Sequence, residues 1–421
     1  MPRGRLDPPL ASREATCVNA TLFLCVITLA CSGQASDTTM IVSDDPGLAA
    51  MANALLPEVS ERAGMSLHEP VRIARRSREA LETYLAFKLE SDLPDERAEH
   101  VAAVYGLLGQ GSPDLDLKAL LASVYGEQVV GFYEPDSTAL FLVDDQPEEA
   151  IEPILVHELV HAIQDQNRSL DSLTSEDLGN DAQIAAQAAI EGQATLVMME
   201  WMFGRMGGQD VDFEDLPDFR GMVGPLLEGV RDQYPMLAGA PRVLQEGLLY
   251  PYIEGAGYVM EVWRSADGRP SPIGRHLPQS TEQVTNPRKI LGAEPDTPVT
   301  IRFDASEVVY QNNLGHAELG VVLAEWAQDE AARALADGWA GDQYALTGRP
   351  GAWGLRWFVL WDGPEERDRM LRAWEGFTHR PGGLVATVAE QDGIPAIVFE
   401  VGDPPPLSVS AARAPGPWDQ E

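Results

Sequence analysis

Ile154-Leu155-Val156-His157-Glu158-Leu159-Val160-His161-Ala162-Ile163 is the stretch on which the fold and chemistry of this 421-residue chain turn. It contains the pattern HExxH. Residues four apart on a helix lie one turn apart on the same face. Both imidazoles can therefore reach one ion, with Glu158 beside a water bound to it. Zinc takes a few nitrogen and oxygen ligands and, in catalytic sites, keeps one position open. It lowers the pKa of the bound water, and a neighbouring glutamate takes the proton as base. Leu155, Leu159 and Ile163 fall on the other side of the helix, where they would anchor it in a core. The plain alternative is a pair of helical histidines making ordinary hydrogen bonds. With 7 His in 421 residues, this spacing rarely arises by chance.

Two imidazoles need a third ligand. The remaining histidines are His68, His100, His276, His316 and His379, and none stands where HExxHxxGxxH would put one, since position 167 is Asn167. The better candidate is Glu191, on the next predicted helix in Ala188-Ala189-Ile190-Glu191-Gly192-Gln193-Ala194-Thr195. A carboxylate among alanines, near Ile184, Ile190 and Leu196, is costly to bury unless it is paired or binds a metal. Gly192 would let the two helices approach closely. Glu200 competes on the same helix, although its flank Met198-Met199-Glu200-Trp201 reads more like a core edge.

This helix pair resembles that of the gluzincin metallopeptidases, in which two HExxH histidines and a glutamate from a following helix hold zinc. More narrowly, HELVHAIQDQ (157–166), IEGQATLVMM (190–199) and PQSTEQVTNP (278–287) are similar to an uncharacterised group of bacterial and archaeal zinc-peptidase-like proteins. The similarity spans roughly residues 75–345, including Glu127–Tyr133 and Gly338–Tyr344. It implies a zincin-like catalytic core, one Zn2+ held by His157, His161 and Glu191, and a peptide or protein substrate, without saying which. The chain departs from the family in one respect. Gluzincins commonly carry an acidic residue four after the glutamate ligand to orient a histidine, and here that position is Thr195. A hydroxyl could still bond a ligand, and Asp165, four after His161, could stand behind the site as a carboxylate. The alternative for Asp165 is an ordinary polar residue at a helix end.

Catalysis would also need a donor near the developing oxyanion. Tyr252, Tyr258, Arg275 and His276 are candidates, and no spacing decides among them. Ser280-Thr281-Glu282-Gln283 reads as a helix cap. By order along the chain and by the resemblance, Gly131-Phe132-Tyr133 and Phe141-Leu142-Val143 stand where zincins place the strand that aligns substrate backbone.

The formal net charge is −36, and the basic residues are almost all arginine, with only Lys88, Lys118 and Lys289 as lysines. Such a surface repels nucleic acid backbones and anionic lipid. Arg3, Arg5 and Arg13 precede an apolar run from Ala20 to Ala30, too short to span a bilayer comfortably and fitting a signal-peptide core. Leu29-Ala30-Cys31 followed by Ser32-Gly33 resembles a bacterial lipoprotein signal, except that Thr28 stands where leucine is usual. The expectation is an exported protein anchored through a lipid on Cys31, with plain secretion as the alternative. Cys17, Cys25 and Cys31 are the only cysteines. A mature chain starting at residue 31 therefore has no thiol pair for a disulfide, no cysteine nucleophile and no cysteine-ligated metal downstream.

The predicted organisation is a signal over 1–31, a flexible tether over 32–46 and a mostly helical segment over 47–121. A zincin-like catalytic region over 122–300, a C-terminal α/β portion over 301–406 and a tail over 407–421 follow. Val129–Tyr133 and Ala139–Val143 read as a hairpin around Glu134-Pro135-Asp136-Ser137. The metal helix is predicted to open between Gln146 and Pro153, and the second to run from Asp181 to Met202, ended by Gly204, Gly207 and Gly208. Residues 213–240 read as loop with a helical segment and 252–264 as a further helix. The fold class is α+β. The function expected is that of a zinc metallopeptidase, with water activated by Glu158. A non-catalytic zinc-stabilised surface binding protein and a metal-dependent hydrolase of a non-peptide amide are the other readings.

Overall fold

A computed structural model describes residues 39–112, 114–206, 213, 221, 234–304 and 307–413. The expected signal, Cys31 and residues 32–38 of the expected tether lie outside the described residues, as does most of 213–240. The chain is a mixed α+β protein with two main sheets.

The first sheet has four strands in the order β1 (Ile41–Val42), β2 (Val71–Arg76), β4 (Ala139–Val143), β3 (Gly131–Glu134). β1, β2 and β4 run parallel, and β3 joins β4 antiparallel as an edge strand. The expected hairpin is thus present. Side chains alternate across a strand, and β4 shows the consequence. Leu140 and Leu142 enter the main core, while Phe141 turns to the opposite face, where it meets Phe132 at 5.1 Å between ring centres. Tyr84 of α2 (Arg78–Asp92) stacks on Phe132 there at 4.7 Å.

Helix α1 (Pro46–Ala63) links β1 to β2. Asp45 caps it by accepting from the N–H groups of Gly47 and Leu48, and Pro46 opens it with a preset φ. Its apolar residues Leu48, Ala52, Leu55 and Val59 recur at helical spacing and are all buried against the sheet and the HExxH helix. Helices α3 (Asp95–Leu107) and α4 (Leu117–Gln128) follow α2. The mostly helical expectation for 47–121 therefore misses one element, strand β2. The expected tether also contains structure: Ile41 is buried in β1, and α1 starts at Pro46.

The HExxH helix, α5, spans Glu148–Asn167, with Glu148 and Glu149 in its first turn, where the macrodipole favours anions. A short α6 (Leu170–Leu173) leads to α7 (Asn180–Arg205). Gly204 does not end α7 but lies within its last turn. After α8 (Pro235–Ala238) comes α9, which spans Arg242–Arg264 and so starts ten residues before the helix expected at 252. Helix α7 crosses α5 on one side and packs along α9 on the other. Ser280 caps α10 (Thr281–Thr285) through its hydroxyl, as the cap reading requires.

The second sheet is antiparallel throughout, in the order β6 (Val308–Asn312), β7 (Trp339–Arg349), β8 (Ala352–Trp361), β10 (Ile394–Val401), β9 (Val385–Gln391). Leu355, Trp357, Val359 and Trp361 of β8 face a core shared with α11 (Gly315–Ala327), whereas Phe358 and Leu360 face a two-stranded ribbon. That ribbon pairs β5 (Val299–Asp304) with β11 (Ser408–Arg413). The expected tail beyond 406 thus includes a paired strand. Among the described residues no helix is long and apolar enough to cross a membrane.

Candidate metal centre

Helices α5 and α7 bring together the three residues singled out as ligands. His157 Nε2 lies 3.2 Å from Glu191 Oε2, His161 Nε2 lies 3.4 Å from the same oxygen, and the two Nε2 atoms are 3.0 Å apart. The imidazoles stand nearly perpendicular, at 83°. Among the described residues this is the one group of three or more His, Cys, Asp or Glu side chains whose ligating atoms converge enough to hold a metal ion. The donor set suits such an ion. Ligand bonds of about 2.1 Å at tetrahedral angles separate neighbouring donor atoms by about 3.4 Å, close to the spacing found here. Two imidazole nitrogens and one carboxylate oxygen also leave a fourth position for another ligand.

Why these side chains point inward follows from packing. Leu155, Leu159 and Ile163 are fully buried on the far side of α5, as the sequence predicts, and fix its rotation about its own axis. Both partners respond electrostatically. Burial alone would lower the His161 pKa, but the Glu191 carboxylate beside it dominates and raises it to about 9. Burial would raise that of Glu191, yet the two imidazoles hold it well below the usual carboxylate range.

Glu158 is 7% exposed and lies next to the cluster on α5. Burial pushes its carboxyl pKa up, opposed by His161 and His157 and, least, by the Tyr133 backbone of β3. Of the four oxyanion candidates, the structure brings Tyr252 to the site. Its ring lies 6.4 Å from that of His157 and nearly parallel to it. The Glu191 charge, followed by burial, raises its pKa well above the ordinary tyrosine value. Tyr258, Arg275 and His276 bond among themselves instead. The Tyr258 hydroxyl donates to the His276 carbonyl, and Arg275 Nε donates to His276 Nε2.

Two expectations, for Thr195 and Gly192, need correction. Asp165 follows its plain reading as a polar residue at a helix end and does not stand behind a histidine. It accepts from the Tyr133 hydroxyl at 3.0 Å and from the Leu170 N–H at 2.9 Å, tying β3 to the end of α5. Thr195 bonds no ligand; its buried hydroxyl has no hydrogen-bond partner among the described residues. Gly192 admits α9 rather than α5, because a Cβ there would strike the backbone of Gly255. Glu200 is taken by a buried ion pair with Arg269, at 2.8 Å to both carboxylate oxygens, and also meets Arg62 at 3.5 Å. Sequence reasoning missed Gln164, whose carbonyl oxygen lies 2.9 Å from His161 Nδ1.

Comparison with protein-family models and with curated proteins returns no match. Among solved structures, the chain is similar to one from Chloroflexus aurantiacus described as "a putative hydrolase with a novel fold". The identity is 20%, the TM-score 0.32, and the match covers 58% of this chain and 87% of the other.

Proposed function

We propose that this chain is a zinc-dependent hydrolase of the gluzincin type that cleaves peptide bonds, with His157, His161 and Glu191 holding one Zn2+ and Glu158 as the general base. The observation that carries this reading is the convergence of the three ligating atoms beside a buried fourth group, Glu158, that has no part in holding the ion. A site needed only for stability would require the ligands and not the base, which favours an enzyme over a zinc-stabilised binding protein. Zinc bound here would supply Lewis acidity and a water acidified towards neutral pH.

The protein's own groups have separate tasks. Glu158 is positioned to accept a proton during attack on the substrate carbonyl and to pass it to the departing amine. Its raised pKa brings it closer to the working range of a general base. Tyr252 is positioned to donate its hydroxyl hydrogen to the oxygen on which charge develops. Strand β3, an edge strand whose Tyr133 backbone lies beside Glu158, offers a line along which extended substrate backbone can lie.

The test is hydrolysis of casein and a mixed peptide library by the full chain, with and without a chelator, beside Glu158→Gln. Activity lost on chelation, restored by zinc and reduced about 10²–10⁴-fold in Glu158→Gln is expected. A zinc-loaded protein that turns over none of these peptides would remove the peptidase claim and leave the metal site standing.

A further inference from the structure

Gln164 lies one turn beyond His161 on α5 and is fully buried. Its carbonyl oxygen faces His161 Nδ1 at 2.9 Å. Its amide nitrogen donates to the Ile190 carbonyl of α7 at 3.0 Å and to Gln193 Oε1 at 2.9 Å. Gln193, also fully buried, donates in turn to the carbonyl of Ala63, the last residue of α1, at 2.9 Å. Two amides therefore run in series from a candidate ligand to the end of the N-terminal helix.

The direction of this series is fixed by its two ends on the backbone. A carbonyl can only accept. Ile190 therefore demands the NH2 end of Gln164, and Ala63 demands the NH2 end of Gln193. That leaves the Gln164 oxygen for His161, so the proton must sit on Nδ1 and Nε2 keeps its lone pair turned towards Glu191 and His157. An amide turned the other way would face an acceptor with an acceptor at Ile190, and would call for the opposite tautomer of His161. His157 has no such support: its Nδ1 has no partner among the described residues.

We propose that Gln164, braced by Gln193, is the positioning residue that fixes the tautomer and orientation of His161 for metal binding. A neutral amide thereby does here what a carboxylate does behind many metal-bound histidines. The inference rests on the zinc reading above. It also gives α1 a role in the site, as the anchor of the series.

The experiment measures zinc affinity of the full chain by competition with a chromophoric chelator, for wild type, Gln164→Leu and Gln193→Leu. Loss of the partner behind a ligating histidine typically weakens metal binding about 10–100-fold. That loss is expected for Gln164→Leu, with a smaller one for Gln193→Leu. A merely structural glutamine would lower the melting temperature and leave the affinity of the folded protein unchanged. A second measurement needs no variant. In zinc-loaded wild type, the His161 Nδ1–H resonance should exchange slowly with water and that of His157 quickly. Equal affinity in wild type and Gln164→Leu, or equally fast exchange at both histidines, overturns the relay while the metal site stands. A wild type that takes up no zinc overturns the metal reading and the relay together.

Discussion

A Cβ placed on Gly192 would lie 2.2 Å from the carbonyl carbon of Gly255, and one placed on Gly255 would lie 2.1 Å from the carbonyl oxygen of Ala188. Helices α7 and α9 therefore touch backbone to backbone one residue after Glu191 and three after Tyr252. Gly192→Ala must push the helices apart, and overpacking of this kind costs about 1–3 kcal/mol or more. Denaturant unfolding is expected to show a loss at the upper end of that range for either glycine. Because both helices carry site residues, folded Gly192→Ala should also bind zinc more weakly than wild type.

Tyr252→Phe removes the hydroxyl on which the Glu191 charge acts and keeps the ring against His157. Loss of one oxyanion donor typically lowers kcat about 10²–10³-fold. That fall is expected with little change in zinc affinity, measured by steady-state kinetics and chelator competition. Tyr258→Phe, whose hydroxyl serves the His276 carbonyl, should leave the kinetics near wild type once the protein is folded.

Glu200 is fully buried and held by Arg269 in a two-point ion pair, while Arg269 lies over the Trp263 ring at 4.4 Å. Arg269 also donates to the Arg62 carbonyl at the end of α1. Breaking a buried pair from one side strands the other charge, at a cost of about 3–5 kcal/mol. Glu200→Ala should show that loss in denaturant unfolding while zinc stoichiometry stays at the wild-type value. Loss of the metal in a folded Glu200→Ala would restore it as a competitor to Glu191.

Asp181, at the start of α7, accepts from the Thr281 N–H at 3.0 Å and from the Thr281 hydroxyl, and burial raises its pKa to about 7. A carboxyl with a raised folded pKa binds more protons in the folded state than in the unfolded one. Stability therefore falls as pH rises from the unfolded value near 4 towards 7. Glu318 and Glu282, each raised to about 8 chiefly by burial, act in the same direction. Asp181→Asn keeps an oxygen for Thr281 and loses the titration. It should gain on wild type as pH rises over that window, by up to about 1.4 kcal/mol for each pH unit crossed, as read from denaturant midpoints.

The legible parts of this protein were those in which one element carries its own pattern. Helix α5 announces itself through histidines four apart on one side and Leu155, Leu159 and Ile163 on the other. Glu191 could be chosen because a carboxylate among alanines needs a partner. Strand β2 was hidden because Arg72, Arg75 and Arg76 mask the alternation of Val71 and Ile73, both fully buried. Gln164 was hidden for a different reason. Its partners Ile190 and Gln193 are 26 and 29 residues away, so its role exists only once α5 and α7 cross. The one local signal was an amide three residues after a candidate ligand, between the buried Ile163 and the tyrosine-bound Asp165. The choice of Tyr252 over Tyr258 likewise needed the rotation of α9, which begins at Arg242 rather than 252.

In the proposed site, His157, His161 and Glu191 hold one metal ion that Glu158 does not help to bind. Metal content of the purified full chain, measured by elemental analysis after dialysis with zinc, tests it most directly when wild type is set beside Glu191→Ala and Glu158→Gln. One zinc per chain is expected in wild type and in Glu158→Gln, with loss of that zinc in Glu191→Ala. A wild type that retains no zinc, or a Glu191→Ala that keeps it undiminished, would contradict it.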